Sequence, residues 1–220
     1  MIFETMGVKV HYEIYGQMAE KPAVLCLHGW GCTMEHFRPI IDDLMKDRQV
    51  IAVDLPAHGS SSEPPEPWGV PEYTEAVERL LDHCEIKRCD IIAHSFGGRI
   101  SLWLSSHSPE RVNRMVLTGC AGLKAEPTEE QKKKSADYQK KKKIAQAITK
   151  LPLLSGQGEK MLEKLRKKYG SADYNALSPE MRKTFIKIIS QDLRPCLKDI
   201  KASTLLVFGE NDTATPLWMG

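Results

Sequence analysis

The sequence lacks any apolar run close to the roughly 20 residues that a membrane-spanning helix requires, which argues against a protein built on such helices. Its start contains Glu4 and no long apolar stretch, so we expect no secretory signal. The six cysteines form no C-x-x-C pair and show no zinc-ligand spacing. We therefore expect reduced thiols in a cytoplasmic protein, without a bound metal.

Sequence signatures of bound cofactors are missing as well. There is no glycine-rich phosphate loop and no dinucleotide fingerprint, so no cofactor is expected. The composition is not that of a disordered chain, since 41% of the 220 residues are hydrophobic and 27% are charged. A chain of this length is sufficient for one domain with an insertion.

Charge is distributed unevenly along the chain. Residues 123–201 hold 20 Lys and Arg against 10 Asp and Glu, whereas the remainder holds 11 against 19. This split predicts an insertion with its own basic surface on an acidic body. The lysine runs 132–134 and 140–143 favour a solvated helix face over a nucleic-acid patch, because Tyr138 is the one aromatic residue near them. We expect neither nucleic acid nor membrane as a partner, and the sequence does not set the oligomeric state.

Hydrophobic periodicity predicts an alternation of strands and helices. Residues 2–5 and 8–15 alternate apolar and polar side chains, which predicts an antiparallel hairpin. Short apolar runs typical of buried parallel strands follow at Ala23–Leu27, Val50–Val53, Asp90–Ala93, Arg114–Leu117 and Thr204–Phe208. Helical patterns separate them at Thr33–Lys46, Pro71–Cys84 and Ser95–His107. The prediction is an α/β fold, a mostly parallel sheet with helices on both faces.

The basic segment interrupts this alternation. Residues 123–201 contain no strand-like run and predict three helices, at about 128–150, 158–169 and 179–190. We predict that they form a helical cap, or lid, over the carboxyl edge of the sheet. Residues 1–122 and 202–220 then form the core.

The strongest chemical motif runs from Asp90 to Arg99. A strand leads through a sharp turn into a helix, with small residues around Ser95, as in the nucleophile elbow G-x-S-x-G with Ala93 in the first small position. Ser95 is the candidate nucleophile. The helix N-terminus behind it favours developing negative charge, and the backbone N–H of Phe96 is a candidate oxyanion donor.

A second motif, His28-Gly29-Trp30-Gly31, directly follows the strand at residues 23–27. Acyl transfer requires two converging N–H donors for the oxyanion, and the backbone N–H of Trp30 is the candidate for the second. Gly29 and Gly31 allow the backbone to turn inward. We expect His28 to hold this loop by hydrogen bonds rather than to act as a base.

A third motif, Gly209-Glu210-Asn211-Asp212, follows the last predicted strand. A carboxylate at such a strand end is placed to orient a catalytic histidine. Asp212 is the preferred triad acid and Glu210 the second choice.

These motifs together resemble the α/β-hydrolase-fold family over nearly the whole chain. The family implies an eight-stranded, mostly parallel sheet with the cap inserted after strand six, Ser95 as nucleophile and Asp212 as triad acid. The matching segments are His28-Gly29-Trp30-Gly31, Asp54-Leu55-Pro56-Ala57-His58-Gly59-Ser60-Ser61, Ala93-His94-Ser95-Phe96-Gly97-Gly98-Arg99 and Gly209-Glu210-Asn211-Asp212.

The triad histidine of the family has no counterpart in this sequence. The expected order is serine, acid, histidine, yet all seven histidines precede Asp212. One interpretation is a truncated, inactive form of a longer protein that lacks the last strand, the last helix and the base. The other is a complete, non-catalytic ligand-binding relative.

The substrate class is the least determined property. A serine elbow with a helical cap suits a carboxylesterase-type hydrolase of small esters, thioesters, amides or related acyl compounds, and carbon–carbon bond hydrolysis is an alternative. The elbow also resembles that of the menaquinone-pathway synthase of this fold, a lyase in which an arginine follows the glycines. Arg99 lies one helical turn after Ser95 and is placed either to approach an anionic substrate or to form a helix ion pair.

Overall fold

The computed structural model describes residues 1–124 and 126–220. The described residues form one seven-stranded sheet in the order β1-β2-β4-β3-β5-β6-β7. β1 and β2 are antiparallel to their neighbours, and the other five strands run parallel. The strands are β1 (Ile2–Thr5), β2 (Val8–Tyr15), β3 (Ala23–Leu27), β4 (Val50–Val53), β5 (Cys89–His94), β6 (Val112–Thr118) and β7 (Ser203–Val207).

Helices cover both faces of this sheet. Side chains of β3 alternate between two apolar clusters: Leu25 and Leu27 pack with α2 and α3, whereas Val24 and Cys26 pack with α1. Alternation of this kind follows from the two-residue period of a strand. The helices are α1 (Arg38–Leu44), α2 (Val70–His83), α3 (Phe96–His107), α4 (Glu129–Thr149), α5 (Ser155–Tyr169), α6 (Ala172–Ala176) and α7 (Pro179–Ser190).

The predicted fold class is confirmed, with small differences in the bounds of its elements. The largest difference concerns the helix expected at Thr33–Lys46, which is a 3-10 turn at Met34–Phe37 followed by α1. Pro39 explains the break, because proline fits only the first turn of an α-helix. The short helix α6 was not predicted. None of the described helices is both long enough and apolar enough to cross a membrane.

The chain forms two compact units, Met1–Leu123 with Lys183–Gly220, and Lys124–Arg182. The second unit consists of α4, α5, α6 and the start of α7. Its helix α4 begins with a capping box, in which Thr128 Oγ1 accepts from the Gln131 N–H and Gln131 Oε1 accepts from the Thr128 N–H. The cap at residues 123–201, whose residue 125 lies outside the described part, stays a prediction.

β7 forms one edge of the described sheet. It pairs with β6 on one side only, and Leu205, Leu206 and Val207 are all exposed. β3 and β4 are buried throughout, and β5 and β6 each contain several buried residues, whereas every residue of β7 is exposed. Its carboxyl end nevertheless lies beside that of β6, which places the loop carrying Asp212 near the end of β5.

Candidate active site

Ser95 occupies a strained turn between β5 and α3. Its backbone has φ 47° and ψ −102°, a region that non-glycine residues rarely adopt. The Ser95 N–H donates to the carbonyl of Thr118 at 3.1 Å, and the Ala121 N–H donates to the Ser95 carbonyl at 3.3 Å. The turn is thus fixed on both sides by the end of β6.

The small residues of the elbow are required by close backbone approach. A Cβ on Gly97 would lie 2.1 Å from the carbonyl oxygen of Leu27, at the end of β3. A Cβ on Gly98 would lie 2.5 Å from Cys120 Sγ. Both distances are far below van der Waals contact, so α3 can begin this close to the sheet only with glycine at these positions.

The Ser95 side chain is half-buried at the N-terminus of α3. Among the described residues, its hydroxyl forms no hydrogen bond. The unpaired N–H groups of a helix N-terminus carry partial positive charge, which stabilises an anion placed there. The hydroxyl is therefore available, in a turn that the rest of the fold holds in place.

The two amides expected as oxyanion donors have no acceptor among the described residues. These are the backbone N–H groups of Phe96 and Trp30, whereas the N–H groups of Ser95 and Gly97 on either side of Phe96 both form hydrogen bonds. The Gly97 N–H donates to the carbonyl of His28 at 3.0 Å, which ties the loop after β3 to the start of α3. A Cβ on Gly29 would lie 3.5 Å from Ser95 Cβ, so this loop passes directly against Ser95.

His28 holds the loop after β3, as its position in the motif predicts. Its Nδ1 donates to the carbonyl of Gly29 at 2.8 Å, and its Nε2 accepts from the Leu55 N–H at 3.0 Å. Burial lowers the pKa of His28 to about 4, because desolvation disfavours the charged ring. The imidazole is thus neutral at pH 7 with both nitrogens used, which suits a positioning residue and not a base.

An aromatic cluster surrounds Trp30. Its indole lies 4.8 Å from the ring of His58, 5.3 Å from that of Phe96 and 5.1 Å from that of Phe185, measured between ring centroids. Burial lowers the pKa of His58, so this ring is neutral as well. The sequence did not predict the contacts of His58 and Phe185 with Trp30, since no local pattern relates either of them to Trp30.

Arg99 forms no ion pair with a carboxylate among the described residues. Its guanidinium is buried, and Nη1 donates to the carbonyls of Ile188 at 3.1 Å and Gln191 at 3.0 Å. These carbonyls lie at the C-terminal end of α7, where a cation is favoured. These contacts are not the helix ion pair considered from the sequence, and they fix the end of the helix that carries Phe185. The approach of Arg99 to an anionic substrate stays a prediction.

Asp212 lies in the loop after β7 and is bound by that loop. Its Oδ1 accepts from the N–H groups of Ala214 at 2.8 Å and Thr215 at 3.0 Å, and its Oδ2 accepts from Thr215 Oγ1 at 2.7 Å. The hydrogen bonds from Thr215, followed by that from Ala214, lower the pKa of Asp212. Its carboxylate is ionised at pH 7, as a triad acid must be.

Gly119 marks the point where the ends of β5, β6 and β7 meet. A Cβ at this glycine would lie 3.3 Å from His94 Cε1 and 3.6 Å from Asp212 Oδ2. The structure therefore brings Asp212 close to the residue that precedes Ser95. Glu210, the second choice for the acid, is exposed.

The described histidines do not link Ser95 to Asp212. His94 is the histidine beside both, and its Nδ1 lies 3.0 Å from the Thr118 carbonyl oxygen and 3.2 Å from Thr118 Oγ1. No described histidine forms a hydrogen bond to the Ser95 hydroxyl or to the Asp212 carboxylate. The site thus contains the candidate nucleophile, the two candidate oxyanion donors and the candidate acid.

Comparisons with known proteins match most of the chain. A family model described as the alpha/beta hydrolase fold matches residues 22–219. The serine hydrolase-like protein of Danio rerio is 34% identical over 113 residues, which cover 50% of this chain and 34% of that protein. The 2-hydroxy-6-oxo-2,4-heptadienoate hydrolase of Pseudomonas putida is 27% identical over 219 residues, covering 90% of this chain and 75% of that protein.

A solved structure shares the fold over nearly the full length. A hydrolase from Pseudomonas aeruginosa PA01 superposes with a TM-score of 0.71 at 26% identity, covering 99% of this chain and 83% of that chain. The match with the first curated relatives is shorter, and the chain spans less than half of their length. Ser95, Trp30 and Asp212 all fall within the range that the family model matches.

Proposed function

Because the chain belongs to the alpha/beta hydrolase fold family, we propose that it is a serine hydrolase of small acyl compounds such as esters, thioesters and amides. The observation that supports this proposal most directly is the strained Ser95, whose hydroxyl is without a described hydrogen bond beside two unpartnered amides. Strain of this kind at an exposed turn is typical of a residue fixed for chemistry.

In the proposed reaction, Ser95 Oγ attacks the carbonyl carbon of the substrate. The proton of the hydroxyl passes to a histidine base, which the proposal places outside residues 1–220 and which Asp212 orients. The N–H groups of Phe96 and Trp30 donate to the oxyanion of the tetrahedral intermediate. The histidine then protonates the leaving group, and water hydrolyses the acyl-serine by the same steps.

The proposal is tested by labelling with a fluorophosphonate, which forms a covalent phosphonyl-serine with loss of fluoride. The chain is incubated with the probe with and without added imidazole, and the modified residue is located by mass spectrometry. We expect the label on Ser95 and a faster reaction with imidazole, because the added base accepts the hydroxyl proton.

Two variants complete this experiment. Ser95→Ala abolishes the label, whereas Ser106→Ala, a half-buried serine on the same helix, leaves it unchanged. Absence of the label from Ser95 in both conditions, together with a rise in Tm on adding candidate ligands, would instead indicate a ligand-binding protein without catalysis.

Hydrolysis of a carbon–carbon bond is the second candidate function. The relative that covers 90% of this chain is named for a keto acid, 2-hydroxy-6-oxo-2,4-heptadienoate. A keto acid without an ester linkage offers a carbon–carbon bond for hydrolysis. Turnover of such a keto acid, with no turnover of p-nitrophenyl esters by the same preparation, would favour this second function.

A further inference from the structure

The turn between α4 and α5 presents an exposed apolar tip, defined here as residues 151–154, Leu-Pro-Leu-Leu. Leu153 is 97% exposed, and Leu151 and Leu154 are exposed as well. Ile144, less than two helical turns before the end of α4, is 55% exposed. Single exposed leucines are ordinary on protein surfaces, but a contiguous group of this kind indicates an interaction surface.

Backbone hydrogen bonds hold the tip in shape. The Leu151 N–H donates to the carbonyl of Ile148 at 3.1 Å, and the Leu154 N–H donates to that of Leu151 at 2.9 Å. Gly158 then packs against α4, since a Cβ there would lie 2.5 Å from the backbone nitrogen of Thr149. The turn satisfies its own backbone while its apolar side chains project away from the helices.

Positive charge surrounds the tip. Between residues 140 and 160 the chain has six lysines and a single acid, Glu159. Within the described residues, Lys143, Lys150 and Lys160 form no ion pair. The carboxylates that do pair with lysines of α4 lie toward its start, in the pairs Glu129–Lys132, Glu130–Lys134 and Asp137–Lys141.

Contrary to the expectation from the sequence that no membrane is a partner, we propose that the tip docks on the surface of an anionic lipid bilayer. Leu151, Leu153 and Leu154 enter the boundary between headgroups and acyl chains, while Lys150 and Lys160 remain among the anionic headgroups. Apolar side chains ringed by lysines suit such an interface, because burial and electrostatic attraction add together. This is binding at the surface, independent of the proposed hydrolase activity.

The aromatic residues of the same unit argue against nucleic acid as the partner. Single-stranded nucleic acid binds through open aromatic faces as well as basic charge. Tyr138 and Tyr169 lie 5.3 Å apart and contact each other, and Lys142 and Lys168 lie over their rings. The apolar tip has no counterpart in a phosphate backbone, whereas a bilayer accommodates both leucines and lysines.

Vesicle co-sedimentation of the full 220-residue chain tests the proposal. We expect binding to vesicles with about 30% phosphatidylserine, little binding to pure phosphatidylcholine, and loss of binding as salt screens the lysines. Leu153→Ser weakens partitioning by about tenfold, because one exposed leucine no longer enters the bilayer. Lys150→Glu combined with Lys160→Glu weakens it by at least as much.

Matched substitutions in the other unit control for general surface effects. Met18→Ser removes a side chain that is 76% exposed, and Lys87→Glu reverses an exposed charge, and neither changes vesicle binding. Circular dichroism and Tm confirm that each variant is folded. The proposal is overturned if wild type ignores anionic vesicles or if Leu153→Ser binds like wild type. It is equally overturned if the chain binds RNA through these lysines and does not bind the vesicles. It is also overturned if light scattering shows a dimer that Leu153→Ser dissociates.

Discussion

At the scale of single residues, the fold keeps one ionisable group of the site neutral and another ionised. His28 is 1% exposed and is kept neutral by burial, whereas Asp212 is kept ionised by hydrogen bonds from its own loop. The neutral ring connects Gly29 to Leu55 and so fixes the oxyanion loop. Protonation of His28 would place an unpaired charge inside the fold.

The first prediction concerns pH and stability. The pKa of His28 falls from its ordinary value of 6.5 to about 4 in the folded chain. The unfolded state therefore binds a proton that the native state does not, so the free energy of unfolding decreases as pH falls from 6.5 toward 4, by up to about 3 kcal/mol. His58, whose pKa is also lowered, adds to this slope. Urea unfolding at pH 7 and pH 5 measures the difference in the free energy of unfolding.

A pair of variants isolates the contribution of His28. His28→Gln reduces the loss of stability between the two pH values, although it also lowers stability at pH 7 because the loop loses a hydrogen bond. His107→Gln, at an exposed ring, leaves the pH difference as in wild type. An equal slope in His28→Gln and wild type would contradict the assignment.

The second prediction concerns Arg99. Arg99→Met keeps an unbranched apolar stem but removes the donors to Ile188 and Gln191, so the free energy of unfolding falls by about 2 kcal/mol. Arg79→Met serves as control, because Arg79 forms an exposed pair with Glu75 worth about 0.4 kcal/mol. Chemical denaturation of both variants measures the two changes. Equal, small losses would mean that the buried contacts contribute nothing.

Residues of the site differ in how far the sequence predicts them. Ser95, Phe96 and Trp30 each lie in a short motif that sets the local backbone, so each could be identified from a few neighbouring residues. The partners of Arg99 and the contact between Trp30 and Phe185 depend on how α7 packs. No local pattern encodes that packing, because it arises from elements that are distant in sequence.

At the scale of elements, the junction of β5 and α3 depends on glycine. The third prediction is that Gly97→Ala is severely destabilising, by about 3 kcal/mol or more, because the new Cβ meets the Leu27 carbonyl oxygen at 2.1 Å. Gly156→Ala, in the first turn of α5, is the matched control. No atom lies within 4 Å of the Cβ it introduces, so this change raises stability by a few tenths of a kcal/mol.

Thermal unfolding distinguishes the two variants, because Gly97→Ala has a lower Tm than wild type and Gly156→Ala does not. A normal Tm for Gly97→Ala would show that α3 starts farther from β3 than described. The spacing of small residues in the sequence indicated that the elbow needs them, but the atoms that impose the requirement are visible only in the fold. Leu27 and Gly97 belong to different motifs, and neither motif predicts that the two residues lie in contact.

Element bounds follow the same reasoning. The strand at Val50–Val53 and the helix α7 begin and end where hydrophobicity and turn residues predict them. The helix expected from residue 33 begins later instead, at Arg38, since Pro39 decides where α-helical hydrogen bonding can start. Periodicity shows which face is buried, whereas backbone donors decide where a helix begins.

At the scale of the whole molecule, the described sheet ends at β1 on one side and at β7 on the other. β1 pairs with β2 in the antiparallel hairpin, whereas β7 exposes apolar side chains on both of its faces. The alternation of strands and helices predicted a mostly parallel sheet, but only the structure shows the order of the strands. A connection between two parallel strands can cross over other strands, and the sequence does not show beside which strand the chain next pairs.

The fourth prediction is that this edge causes self-association. An open strand without charged side chains readily pairs with another strand. Leu205→Lys, at a side chain that is 60% exposed, therefore lowers the concentration-dependent light scattering of the purified chain. Met18→Lys adds the same charge away from the sheet edge and leaves scattering as in wild type. Equal effects of the two substitutions would mean that any decrease in scattering comes from the change in net charge and not from the sheet edge.

The cluster around Trp30 has an optical consequence. An indole that lies beside His58, Phe96 and Phe185 emits according to the polarity of that small space. Replacing the other three tryptophans, Trp68, Trp103 and Trp218, with phenylalanine leaves Trp30 as the sole emitter. A molecule that accepts hydrogen bonds from the oxyanion amides then shifts its emission spectrum, so that occupancy of the site can be followed in real time without any chemical step.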